Sequence, residues 1–224
     1  MKLAIVLLGF VALSVAAPQQ RGLIGNALQD QVTNAQSQLS SLQDQVSSLT
    51  HKIETDAANV ISAAEAKIGP LFSEVESDIE LLIKKGGVVA DCAVKNRNEL
   101  DEFKTILGND LPHCVAGLAE TIADLLGDIS GDITSLGSAI ANLGLIVSQC
   151  TSGGDAGAGI CAATQVGPIV NNILAIVGNA VGAIGIASGK VPPLISNIEY
   201  CAKGVVGNAV TTIEKFGAAV KQCA

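Results

Sequence analysis

The chain has 224 residues, of which 49% are hydrophobic and only 2% aromatic, and its formal net charge is -8. This balance excludes a nucleic-acid-binding role, because neutralising phosphates requires clustered Lys and Arg side chains and the sequence contains no basic stripe. With so few aromatic residues, an apolar core must be built from Ala, Val, Ile and Leu side chains.

Residues 1–17 have the features of a secretory signal peptide. A basic start at Lys2 is followed by an apolar run over residues 3–13, and small residues then precede Pro18. The alternative, an N-terminal membrane anchor, is disfavoured because a spanning helix needs about 20 apolar residues. We therefore predict cleavage after Ala17 and a secreted, extracellular protein.

Residues 18–69 are predicted to form a long, amphipathic, coiled-coil-like helix. Its apolar residues recur at alternating steps of four and three, which is a heptad seam, at Leu28, Val32, Ala35, Leu39, Leu42, Val46, Leu49 and Ile53. A helix this polar is not stable alone. We expect the seam over residues 28–53 to pack on the rest of the chain or on a second copy, and Gly69–Pro70 to end the helix.

Residues 70–224 are predicted to form a Cys-containing helical bundle. Helices are expected over residues 71–85 and 88–107, and Asp110 is a candidate N-cap for the next one. That helix has an apolar stripe from Leu118 to Val147, and the alternative there is a series of shorter helices. Glycine costs about 1 kcal/mol in a helix, so we expect close helix contacts to compensate at Gly127, Gly131, Gly137 and Gly144.

The Gly-rich segment 151–159 is predicted to reverse the chain between two antiparallel helices. It lacks the Gly-Lys-Ser/Thr sequence of a phosphate-binding loop. The following segment, 166–186, is uncharged and apolar nearly all round, which predicts central burial or, alternatively, insertion into a membrane. Its Gly178 and Gly182 form a Gly-x-x-x-Gly close-packing motif. Lys190 to Pro193 are expected to interrupt the helical structure before a final helix begins.

Six cysteines follow the signal peptide, and an even number in a secreted chain indicates three disulfides, formed by Cys92, Cys114, Cys150, Cys161, Cys201 and Cys223. Cys201 and Cys223 lie roughly 33 Å apart along a continuous helix, so they cannot pair with each other. Cys150 and Cys161 flank the reversal and could meet each other or Cys223. Cys114 could then meet Cys201, and the connectivity is otherwise open.

The sequence contains no convincing set of catalytic or metal-binding residues. Neither of the two histidines, His51 and His113, has ligand spacing to a second one, and no EF-hand pattern occurs. The carboxylate pairs Glu74/Glu76 and Asp101/Glu102 lie on helix faces that we expect to be solvated. We therefore predict no catalytic residue, no cofactor, no metal site and no enzymatic activity.

A signal ending in Ala-Ala-Pro, a Gln/Ser-rich helix and six cysteines spread over Ala- and Val-rich helices resemble insect secreted proteins of the TsetseEP-domain kind. The resemblance covers about the last 130 residues. The chain lacks the Glu-Pro repeat tail, and members of that family are richer in charge. The resemblance implies a secreted gut, salivary or haemolymph protein without established catalysis.

Together these features predict an all-α, elongated, antiparallel helical bundle stapled by disulfides. The leading hypothesis is a secreted, non-enzymatic binding protein that takes a protein partner or a small apolar ligand at its helical surface or in an apolar cavity. One alternative is a membrane-active or effector protein of the venom or salivary type, which would use the uncharged segment 166–186 for membrane contact. Another is a structural coiled-coil matrix protein that self-associates through the 28–53 seam.

Overall fold

The computed structural model describes residues 23–152 and 159–224, which form helices and short turns without a strand among them. The helices are α1 (Leu23–Ile83), α2 (Gly87–His113), α3 (Leu118–Ser152) and α4 (Gly167–Gln222), and a π-helical turn at Ala162–Val166 precedes α4. The predicted all-α helical bundle is confirmed. The predicted signal peptide and the central residues 153–158 of the Gly-rich segment lie outside the described residues.

The chain divides into two compact units. Within the described residues, unit 1 contains residues 23–44, 129–152 and 159–182, and unit 2 contains residues 45–128 and 183–224. Helices α1, α3 and α4 therefore contribute residues to both units, whereas α2 belongs to unit 2 alone.

The heptad seam of α1 is buried against the chain itself. Leu39 and Val46 are half-buried, and the other six seam residues are buried: Leu28, Val32, Ala35, Leu42, Leu49 and Ile53. This is one of the two arrangements that the sequence predicts, and burial of this stripe explains how so polar a helix is held in place. Self-association through the 28–53 seam stays a prediction, and it would require these side chains to leave their present contacts.

The prediction that α1 ends at Gly69–Pro70 is wrong, because the helix continues to Ile83. Pro70 and Ala66, the residue whose carbonyl would accept a helical hydrogen bond from position 70, are both exposed, so water can satisfy that carbonyl. The buried stripe keeps its steps of four and three past the proline, at Ile68, Phe72, Val75, Ile79 and Leu82. Packing along this stripe holds the helix together where local propensity would end it.

Helix α1 ends instead at Ile83, close to the expected end of the 71–85 helix and just before two glycines. Gly86 and Gly87 have φ of +74° and +64°, a left-handed conformation that costs glycine little. The amide of Gly86 donates to the carbonyl of Ile83 over 3.2 Å, which closes the turn into α2.

The predicted end of the next helix at residue 107, with Asp110 as a cap for the following one, is also wrong. Helix α2 runs on through Pro112 to His113. Both Pro112 and Gly108, four residues before it, are exposed, so the missing hydrogen bond again faces solvent. The chain turns at residues 114–117, where Gly117 has φ of +77°, and α3 follows.

The expected break at Lys190 to Pro193 does not occur, since α4 passes through both prolines. Pro192 and Pro193 are exposed, and so are the residues four positions earlier. The buried positions continue across them without a change of phase, at Ala187, Val191 and Ile198. The exposed prolines therefore do not interrupt this helix, because its opposite face is buried at the same spacing before and after them.

Helix α3 is one continuous helix, not a series of shorter ones, and the predicted stripe forms its buried or half-buried face. The expected close contacts at its glycines are absent. Apart from the helix's own nearby backbone, no atom lies within 4 Å of where a Cβ would stand at Gly127, Gly131, Gly137 or Gly144, and the same holds for Gly178 and Gly182 of α4. These glycines lie away from the helix contacts, so the close-packing interpretation is wrong at all six.

In unit 1, α3 and the chain after the Gly-rich segment lie antiparallel, as predicted. Cys150 and Cys161 are bonded, and farther from this link residues 134–142 line a surface depression together with residues 169–176. The uncharged segment 166–186 is buried along one stripe, not all round: Val166, Val170, Ile173, Val177, Ala180 and Ile184. Its opposite face is exposed, so central burial is a correct prediction for only one side of this helix.

In unit 2, α1, α2 and α4 enclose an apolar core to which each helix contributes buried residues. Phe103 of α2 lies between two other rings, with centroids 6.1 Å from Phe72 of α1 and 6.0 Å from Phe216 of α4. Lys104 covers this cluster, because its Nζ lies 5.6 Å from the Phe72 centroid and 2.8 Å from a carboxylate oxygen of Glu76. The three described phenylalanines therefore join all three helices.

Candidate functional site: a groove between α1 and α4

All six predicted cysteines are paired, as Cys92–Cys223, Cys114–Cys201 and Cys150–Cys161. The first two pairs join α2 to the C-terminal part of the chain. Cys114 lies 22 residues after Cys92, and Cys201 lies 22 residues before Cys223. The two segments that these bridges join therefore run antiparallel, with equal spacing between the bridges. Of the alternatives that the sequence left open, Cys150 pairs with Cys161 and not with Cys223, and Cys114 pairs with Cys201.

The acidic and histidine residues that the sequence singled out are not brought together. His51, His113, Glu74, Asp101 and Glu102 are all exposed, and Glu76 is paired with Lys104. Within residues 23–152 and 159–224, no three His, Cys, Asp or Glu side chains are grouped so as to hold a metal ion, and no polar or charged residue is fully buried.

Unit 2 has a groove between α1 and α4, with a volume of about 580 Å³. We call it the α1/α4 groove. Helix α1 lines it with Asp56, Asn59, Val60, Ala63, Ala64 and Lys67, and α4 lines it with Ile195, Glu199, Ala202, Lys203, Val206 and Gly207. The lining is thus mainly apolar, and charged side chains lie among it on both helices.

Small side chains explain why space remains between the two helices. Ala63, Ala64, Ala202 and Gly207 stand where larger apolar residues would fill the gap, while Val60 and Val206 are half-buried beside them. An interhelical distance set by larger side chains elsewhere in the core leaves a depression at such positions. The floor of the groove is therefore formed by small apolar side chains.

The two carboxylates that line the groove, Asp56 and Glu199, are each paired with a lysine of the same helix. Lys52 donates to Asp56 over 2.9 Å, and Lys203 donates to Glu199 over 3.1 Å. Both pairs join residues four apart on one helical face, a spacing that brings such side chains together. Asp56 and Glu199 are therefore neutralised locally, although their exposure makes the pairs weak contributors to stability.

A second groove of about 570 Å³ continues the first. The two share Asp56, Ile195 and Glu199, and the second extends along residues 49–56 of α1 and 188–199 of α4. Low-numbered residues of α1 thus lie beside low-numbered residues of α4 in both grooves. These segments of α1 and α4 run parallel, and the two grooves form one continuous depression along them.

The position of the α1/α4 groove was not predicted from the sequence. The available signal was a local one: the adjacent alanines at positions 63 and 64 of α1 and the alanine at position 202 of α4. That signal is weak, because alanine is common throughout this chain and only the pairing of α1 with α4 places these residues opposite one another.

No family model, no curated protein and no solved structure matches this chain.

Proposed function

We propose that this chain is a secreted, non-enzymatic binding protein that takes a small apolar ligand in the α1/α4 groove. The observation that carries the proposal is the groove itself, a mainly apolar depression of about 580 Å³ between Val60 and Ala64 on one side and Ala202 and Val206 on the other. Ligand sites in proteins occupy roughly 300–1,000 Å³ and combine apolar walls with a few polar groups.

Secretion rests on the predicted signal peptide and is supported by the three disulfides, which persist in oxidising compartments. Two of the bridges fix α2 to α4, one wall of the groove. A wall that is already ordered lowers the entropic cost of binding a ligand. The resemblance to TsetseEP-domain proteins stays a prediction, and a secreted binding role is in keeping with it.

The test fills the groove and measures binding of an uncharged fluorescent probe, N-phenyl-1-naphthylamine. Replacing Ala63, which lines the groove, by Trp places a large ring in the depression. The matched control is Ala66→Trp, at an exposed position of the same helix outside the groove lining. We expect Ala63→Trp to abolish probe binding and Ala66→Trp to leave it unchanged. Equal binding by both variants and the unaltered chain would rule the groove out.

A second candidate function, membrane activity, is favoured by the distribution of charge. Within the described residues, 133–152 and 159–189 carry no charged side chain. Leu145, Ile160 and Ile186 on this part of the chain are 65%, 70% and 65% exposed. The helical stretches Gly87–Ser152 and Gly159–Gln222 each contain an 18-residue window that is long and apolar enough to cross a membrane, by length and composition alone.

Dye leakage from phosphatidylcholine and phosphatidylserine vesicles tests this second candidate, with the disulfides intact and over a range of pH. If the uncharged segment enters lipid, Ile160→Lys should suppress leakage, because a charge is costly in the apolar interior. Tyr200→Lys, at a residue that is 83% exposed and outside the uncharged segment, should not. No leakage at any pH removes the candidate.

The third hypothesis, a coiled-coil matrix protein, draws no support from an exposed seam, since residues 28–53 present their apolar side to the chain's own core. Sedimentation velocity at high protein concentration tests it, because fibrous assembly would deplete the monomer boundary.

A further inference from the structure

The α1/α4 groove has one charged lining residue that the other charges do not compensate. Asp56 and Glu199 each have a lysine partner on their own helix. Lys67 also lines the groove, and within the described part of the chain it forms no ion pair and no hydrogen bond. The positions three and four residues away along α1 are Ala63, Ala64, Pro70 and Leu71, so no carboxylate lies within helical reach of it.

Lys67 stands at one end of the depression. The groove lining on α1 begins at Asp56 and ends at Lys67, and the adjoining groove extends the depression from Asp56 back to Leu49. From Lys52 to Lys67 the α1 wall is roughly 22 Å long at the helical rise of ~1.5 Å per residue. The depression is thus an extended apolar track with an unpaired cation at its far end.

From this arrangement we infer that the ligand is a single-chain amphiphile with an anionic head, which lies beside Lys67 while the alkyl tail follows the groove toward Ile195. The inference rests on the proposed function and adds the class of ligand. An extended track suits an unbranched chain better than a compact ring system. On a chain whose net charge is -8, an uncompensated ammonium group is a distinct point of attraction for a carboxylate or sulfate.

The opposite polarity is disfavoured by the same charges. A cationic head at this end would lie against Lys67. Where the two grooves join, the carboxylates of Asp56 and Glu199 are already engaged by Lys52 and Lys203. An uncharged amphiphile would gain the apolar contacts of the track but nothing from Lys67. Affinity should therefore rank anionic above neutral above cationic heads on the same alkyl chain.

The test is competition for N-phenyl-1-naphthylamine by dodecanoate, dodecanol and dodecyltrimethylammonium, each below its micellar concentration. The variant is Lys67→Glu, and the control is Lys84→Glu, which reverses an exposed lysine of unit 2 outside the groove. We expect Lys67→Glu to weaken dodecanoate about fivefold or more, the range of a solvated ion pair worth ~1 kcal/mol, and to leave dodecanol within about twofold. Added salt should weaken dodecanoate binding to the unaltered chain.

The inference is overturned if dodecanoate and dodecanol bind equally, or if Lys67→Glu and Lys84→Glu affect dodecanoate alike. These results differ from failure of the proposed function. If the proposed function fails, the probe itself does not bind, or Ala63→Trp leaves probe binding intact, whatever the head group of the competitor.

Discussion

The rings of Phe103 and Phe216 lie with their centroids 6.0 Å apart, which joins α2 and α4 by an aromatic contact packed against the core of unit 2. Removing the shared ring by Phe103→Ala should lower the free energy of unfolding by about 2–3 kcal/mol. This is below the range for fully buried Phe, because Phe103 is half-buried. Urea unfolding followed by circular dichroism measures the change. Tyr200→Ala, at an exposed ring, is the control and should change stability by less than ~0.5 kcal/mol.

The disulfides should contribute unequally to stability. When Cys114–Cys201 is kept, the Cys92–Cys223 bridge closes a loop made of residues 92–114 and 201–223, whose ends are 22 residues apart on each side. The ends of the loop closed by Cys150–Cys161 are only 11 residues apart. Loop-closure entropy then predicts losses of roughly 4 and 3 kcal/mol for the two Cys→Ser double variants. The measurement is the urea midpoint of each variant, and a larger loss for the Cys150–Cys161 pair would contradict this order.

Glycines that lie away from helix contacts should be replaceable with a gain in stability. A Cβ at Gly131 or Gly178 meets no atom within 4 Å, and both have helical backbone conformations. Each Gly→Ala change should raise the free energy of unfolding by about 1 kcal/mol. The same change at Gly117, where φ is +77°, should lower it by about 1 kcal/mol. Destabilisation at Gly131 and Gly178 would mean that these glycines do make close contacts.

Pro70→Ala tests the continuity of α1. Because Pro70 is exposed within an uninterrupted helix, alanine there should restore a backbone hydrogen bond. We expect a gain of about 2 kcal/mol, less than the full difference in helix propensity because proline also restricts the unfolded chain. Thermal unfolding followed at 222 nm measures it. Unchanged stability would indicate that the helix ends at this proline after all.

Local periodicity predicted much of the fold because it depends only on the spacing of residues along one helix. The seam of α1 and the stripe of α3 follow from the helical repeat, and the exclusion of a Cys201–Cys223 pair follows from the helical rise per residue. Helix ends were predicted less well, since Pro70, Pro112 and Pro192 lie within continuous helices. The sequence did contain the missing signal: the steps of four and three continue across Pro70 and Pro192 without a change of phase.

The candidate site could not be located from the sequence, because it is formed by two segments about 140 residues apart in the chain. Periodicity identifies which face of α1 is buried but not which helix covers it. The unpaired state of Lys67 is likewise a property of its neighbours in space, since nearby charges on the other helices decide whether a lysine has a partner.

The amino-acid sequence by itself determined that the chain is helical, where the buried stripes of α1 and α3 lie and that Cys201 cannot pair with Cys223, because these depend on spacing within single helices. The spacing across Pro70 and Pro192 is compatible with unbroken helices, but only the tertiary structure decided that packing keeps them unbroken. It also decided that no neighbouring helix approaches the glycines of α3 closely and that a groove lies between α1 and α4. Those outcomes depend on packing between distant segments, whose free energy exceeds the local preference of a single proline or glycine.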